Sequence, residues 1–119
     1  GTAAGGGPNR HDEQVAVVTP TALGAVTSGS WSIFFDGSDV GFGGNGAEDL
    51  DAVSLDFDGT LIFSTVGNYS GAGSTGADED ISRFTGTFGA ATSGSAQLIL
   101  DLTTLGINAS EDVDGFSIR

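Results

Sequence analysis

The strongest constraint on this chain is that it repeats itself. Residues 12–30 read DEQVAVVTPTALGAVTSGS, and residues 78–95 read DEDISRFTGTFGAATSGS. With one residue inserted, the two share an acidic start, a Thr-x-Thr pair, Gly-Ala and a complete TSGS. The runs WSIFFD and AQLILD then align, followed by Val40-Gly41 with Leu105-Gly106, at a separation of about 65 residues. The stretch Ala47–Gly59, AEDLDAVSLDFDG, returns as Ser110–Ile118, SEDVDGFSI. Repetition on this scale implies supersecondary units that bury their apolar faces against one another.

The runs inside each unit read as strands. Val15–Thr19, ended by Pro20, Trp31–Phe35, Leu50–Phe57, Thr60–Val66, Asp80–Thr85, Ala96–Leu102 and Val113–Ile118 are short and rich in β-branched and aromatic residues. No window holds a helical period. Asp58-Gly59 between two such runs signals a hairpin. Leu23–Ser30 reads as a turn, and Asp36–Gly46 and Gly67–Ala77 as Gly-rich loops. The expected fold class is all-β, with about seven antiparallel strands.

Each unit holds four strands, in the order acidic strand, hairpin partner, DEDI strand and WSIFF-type strand. That is the make-up of a propeller blade. The expected organisation is an N-terminal arm over Gly1–Asn9 and a single β domain over 10–119. The domain divides into a partial repeat 10–46, a full repeat 47–109 and a partial repeat 110–119. Two units are too few to close a propeller. Either the strands form a compact sandwich, or several chains assemble. The last strand, Val113–Ile118, has no hairpin partner after it, and an open edge invites pairing with another chain.

Composition narrows the partners. Three Lys and Arg against 16 Asp and Glu give a net charge of −13, which repels nucleic acid and anionic membranes. A field of that sign attracts cations, and carboxylate oxygens suit calcium; a charged surface also simply keeps a protein soluble. The 21 glycines cluster between apolar runs without a Gly-X-Y period, which excludes collagen. There is no cysteine, hence no disulfide, thiolate metal site or cysteine nucleophile. No apolar run reaches the roughly 20 residues of a membrane-spanning helix, and no signal peptide is visible. The chain opens at Gly1 without any Met, as expected of a mature form or a fragment.

Residues two apart on a strand share a face, so Asp49 and Asp51, and again Asp112 and Asp114, are expected to pair. Like charges that close repel unless a cation or donors lie between them. Each pair is therefore a candidate calcium site, with turn capping by backbone N–H groups as the alternative. Asp36 and Asp39 in DGSD form a weaker candidate of the same kind, without the pattern of an EF-hand. Asp78-Glu79-Asp80 and Asp12-Glu13-Gln14 read as solvated strand starts. His11, the one histidine, has no identifiable nucleophile beside it, and the expectation is that the chain is not an enzyme. Arg83 is expected to pair with nearby acids. Trp31 and Tyr69 could stack a sugar, although Trp31 opens an apolar run and fits core or interface packing better.

The motifs Trp31–Gly41, Glu48–Ala52, Asp58–Gly67 and Asp78–Ile81 together resemble acidic tandem β-repeats of large secreted or surface proteins of bacteria, with units similar to propeller blades. The second copy departs from the pattern, with Asp101-Leu102-Thr103-Thr104 in place of Asp36-Gly37-Ser38-Asp39. The resemblance implies an extracellular or cell-surface location and neighbouring repeats as partners. The expected function is a non-enzymatic structural or assembly module stabilised by calcium, pairing with other copies or neighbouring repeats through edge strands. The alternatives are a glycan-binding module and a filament subunit completed by strand exchange.

Overall fold

The computed structural model describes residues 12–43 and 46–118. The expected arm Gly1–Asn9, together with His11, lies outside the described residues. The fold is all-β, and among the described residues the pairing is antiparallel throughout and the helices are short 3₁₀ turns. Eight strands are formed among the described residues: β1 (Gln14–Ala22), β2 (Ser28–Asp36), β3 (Leu50–Leu55), β4 (Leu61–Thr65), β5 (Tyr69–Gly71), β6 (Ser74–Gly76), β7 (Ile81–Thr87) and β8 (Ser93–Leu100). They form a two-stranded sheet β1-β2, a four-stranded sheet in the order β3-β4-β7-β8, and the short hairpin β5-β6.

The four-stranded sheet is the complete unit anticipated from the repeat, and β1-β2 matches its second half residue by residue. Ala16, Val17, Val18 and Thr19 pair with Ile33, Ser32, Trp31 and Ser30. Ser82, Arg83, Phe84 and Thr85 pair with Leu98, Gln97, Ala96 and Ser95. The register slips at the corresponding place in both hairpins, between Val15 and Ala16 and between Ile81 and Ser82. Each hairpin runs into a 3₁₀ turn, Gly37–Val40 or Leu102–Leu105, capped by an Asp side chain at one end and a glycine at φ 97° or 88° at the other.

The junction between units also recurs. The N–H of Leu50 donates to the carbonyl of Asp12 (3.2 Å), and that of Val113, the matching residue of the next copy, donates to the carbonyl of Asp78 (3.2 Å). The third, partial copy therefore meets the second through the same backbone hydrogen bond by which the second meets the first.

The core lies where the base of the β1-β2 hairpin, Phe42 and the β5-β6 hairpin meet the larger sheet. Phe35, Phe42, Leu61, Phe63, Tyr69, Ala72 and Phe84 form it. Edge-on aromatic contacts join Phe35 to Phe84 (5.0 Å) and Phe42 to Tyr69 (5.3 Å), and Phe34 stacks on Phe88 (4.7 Å). Such contacts favour one relative placement of the two sheets beyond the area they bury.

Three expectations need correction. Pro20 does not end the first strand, which runs on to Ala22 through an irregular register; an edge strand tolerates a residue without an N–H. The segment Gly67–Ala77 is not a plain loop. It holds β5 and β6, joined by Ala72 (φ 51°) and Gly73 (φ 76°), the left-handed pair of a tight hairpin turn. Residues 113–118 form no strand. Val113 is tied at both ends, its N–H to Asp78 and its carbonyl to Ser64 Oγ (2.7 Å). Among the described residues, no neighbouring strand offers this segment a ladder.

The expected β3-β4 hairpin is formed. The N–H of Asp56 donates to the carbonyl of Thr60 and that of Gly59 to Asp56, both at 3.0 Å. Gly59 at φ 82° supplies the left-handed residue that closes the turn. Asp58 Oδ1 accepts from the N–H (3.0 Å) and the hydroxyl (2.7 Å) of Thr60.

Candidate functional site

The acidic stretch meets its own second copy in space. Asp51 falls at a slip in the β3-β4 register between Leu50 and Ala52, so the simple alternation expected from Asp49 to Leu55 is broken there. Its carboxyl is held above its ordinary value of 3.8, first by burial, then by the charges of Asp112 and Asp114 and a hydrogen bond with Asp112. Asp51, Asp112 and Asp114 thus share a neighbourhood at the junction between units. Asp49 precedes β3, with its carboxylate towards Gly46 and its carbonyl accepting the Val66 N–H at 3.0 Å. The crowding thus joins Asp51 of one copy to Asp112 and Asp114 of the next.

Asp36 and Asp39 are committed to protein donors. Asp36 Oδ1 accepts from the N–H (3.2 Å) and hydroxyl (2.6 Å) of Ser38, and its Oδ2 accepts from Gln14 Nε2 (3.0 Å). Asp39 Oδ2 accepts from the Thr92 N–H (2.8 Å). In the second copy, Asp101 caps its turn through the N–H of Thr103 (3.1 Å) and accepts from the same residue's hydroxyl. The capping role thus survives the change from DGSD to DLTT. Among the described residues, no group of three or more His, Asp or Glu side chains is arranged to hold a metal ion. The acidic junction is a region of crowded charge, not a finished coordination shell.

The strand starts are not solvated. Glu13, Glu79 and Asp80 are buried. Asp80 Oδ2 accepts from the Ala77 N–H (2.9 Å). Asp80 Oδ1 and Glu79 Oε2 are buried without a hydrogen-bond partner among the described residues. The hydrogen bond from Glu79's own backbone N–H favours its charged form. Burial, a hydrogen bond with Asp78 and the charges of Asp80 and Asp78 together outweigh this and raise its titration above 4.5. Glu79 also recurs, at the repeat position of Glu13, and that recurrence was the available sign that these glutamates face inward. Arg83 pairs with Asp56 as expected (3.1 Å).

Tyr69 is 4 % exposed, not a loop residue open to a ligand. Its hydroxyl hydrogen-bonds Ser82 Oγ at 2.7 Å. Its ring packs on Phe42 and Phe63, so it cannot form a sugar platform with Trp31. Trp31 is exposed and lines a shallow groove with Val18 and Ser28–Ser30.

Sequence reasoning missed an apolar groove of about 320 Å³ between the two sheets, lined by Val15, Ala16, Val17 and Phe34 on one side and Val53 and Leu55 on the other. These residues read as core in the sequence. Among the described residues, no helix is long and apolar enough to cross a membrane. No family model matches the chain, and neither the curated proteins nor the solved structures compared with it provide a match.

Proposed function

We propose that this chain is a structural β-repeat module, without enzymatic activity, that assembles with further copies of its own unit in an extracellular or cell-surface protein. The observation that carries this reading is the repeated junction, the hydrogen bond from Leu50 to Asp12 and its counterpart from Val113 to Asp78. A contact that recurs from unit to unit describes a stacking operation, and stacked repeats gain stability from each neighbour. The β1 edge, unpaired among the described residues, and the apolar groove are surfaces for such a neighbour.

Calcium belongs to this proposal as the counter-ion of the junction. A cation among Asp51, Asp112 and Asp114 would relieve their repulsion, and an ion that binds only the folded state stabilises it by linkage. The expected result is a melting temperature that rises with calcium and falls with chelator at low ionic strength. In Asp51→Asn the calcium response should shrink. Melting unchanged by chelation removes calcium from the reading.

The assembly reading is tested by sedimentation velocity on the chain over a wide concentration range. Concentration-dependent association that Val53→Lys weakens is expected. A monomer at every concentration counts against intermolecular assembly.

A further inference from the structure

The inner edge of β1 has no strand beside it among the described residues, since β1 pairs with β2 alone. Its repeat twin β7 is covered at the corresponding edge by β4, in the register Leu61↔Phe84, Ile62↔Arg83 and Phe63↔Ser82. The matched hairpin registers put Ala16, Val17 and Val18 at the places of Ser82, Arg83 and Phe84. A strand equivalent to β4 therefore has a defined seat against Ala16–Val18.

The larger sheet is incomplete on the same side. Cross-strand partners share a face of a sheet, and Val53 pairs with Phe63 and Leu55 with Leu61. Phe63 is buried against Phe42 and Tyr69 and Leu61 is buried at the groove beside Val15–Val17, whereas Val53 and Leu55 are 43 % and 55 % exposed. The groove between β1 and β3 joins these two deficits, an unpaired edge and an uncovered apolar strip.

We infer that this groove is the seat of a β-hairpin of the Leu50–Thr65 type belonging to another copy of the unit. Its second strand pairs antiparallel with Ala16–Val18, and its first strand lies over Val53 and Leu55. The occupant is specified by the repeat itself. β7 shows which strand this edge takes, and the recurring junction shows how one unit's acidic strand is placed on the unit before it. The inference rests on the assembly reading and names its partner, site and register.

The test supplies the hairpin to the full chain. The sequence of Ala47–Val66 is placed ahead of Gly1, so that Gly1–His11 takes the position of Gly67–Ala77, a segment of the same length. Amide exchange and methyl spectra are compared with those of the unextended chain. The expected result is slower exchange, by about tenfold or more, at alternate amides of Val15–Val18, with shifted Val53 and Leu55 methyls and a higher melting temperature. Val53→Asp should cancel the gain in the extended chain while leaving melting of the unextended chain almost unchanged. Unaltered exchange at β1 with unaltered methyls, or protection at the β8 edge instead, overturns the assignment. The outcome is separate from the sedimentation result. A seated hairpin in a chain that stays monomeric keeps this seat and rejects intermolecular assembly; association without β1 protection does the reverse.

Discussion

Asp51 stands where two copies of the acidic stretch meet, and its titration gives that crowding a sign. Its folded carboxyl takes up a proton more readily than the unfolded one, so the native state holds more protons in the window just above 3.8. Stability from this group falls as pH rises through that window and stays reduced at neutral pH. Asp51→Asn should stabilise the chain at pH 7 and low salt by less than about 1 kcal/mol, as befits a solvent-screened group. The gain should vanish near pH 4 in urea titrations. Glu79 has the same sign, with its window above 4.5; Glu79→Gln should flatten the stability–pH curve, again read by urea midpoints. Asp58 is opposite. Its bonds to Thr60 hold it below 3.8, and its contribution is lost only as pH falls through that lowered value. Tyr69→Phe should cost about 1–3 kcal/mol in thermal unfolding, because Ser82 Oγ loses its buried partner.

Among the elements, the hairpins depend on backbones that approach closely. A Cβ on Gly94, where φ is 148°, would lie 2.2 Å from the Thr85 carbonyl oxygen. Gly94→Ala should therefore loosen β7-β8 by a few kcal/mol, seen as rapid amide exchange along both strands. The bond from the Thr92 N–H to Asp39 separates two readings of the same carboxylate. Asp39→Ala leaves the Thr92 N–H without its partner, at a cost of about 1–3 kcal/mol that should be equal with and without calcium. A cost that appears only with calcium would make Asp39 a metal ligand. Most strands were legible because WSIFF, TLIFSTV and AQLIL carry the β-rich composition locally, and Asp58-Gly59 marks its own turn. The strand expected at 113–118 was not legible as irregular. Its sequence matches β3, but a strand needs a neighbour, and β3 has β4 where this segment has no strand beside it among the described residues and is held at Val113.

For the whole molecule, the order of acidic strand, hairpin partner, DEDI strand and AQLIL strand was legible from the recurring residues, and it is the order of the four-stranded sheet. The repeat did not disclose the acidic junction. Pairing Asp51 with Asp112 and Asp114 depends on how units stack, a relation between copies rather than within one. The groove was hidden for a related reason. Val17, Val53 and Leu55 are as apolar as core residues, and only the placement of β1 against β3 leaves them open.

The proposed stacking of these units, by a repeating junction that stabilises each one, is open to measurement. It is tested most directly by urea unfolding of a chain in which residues 47–109 are present twice in tandem, in phase, before Ser110. The account predicts one cooperative transition with a higher midpoint and a steeper dependence on urea than in the parent chain, since both units and their interface unfold together. Two separate transitions, or a midpoint no higher than the parent's, would contradict it.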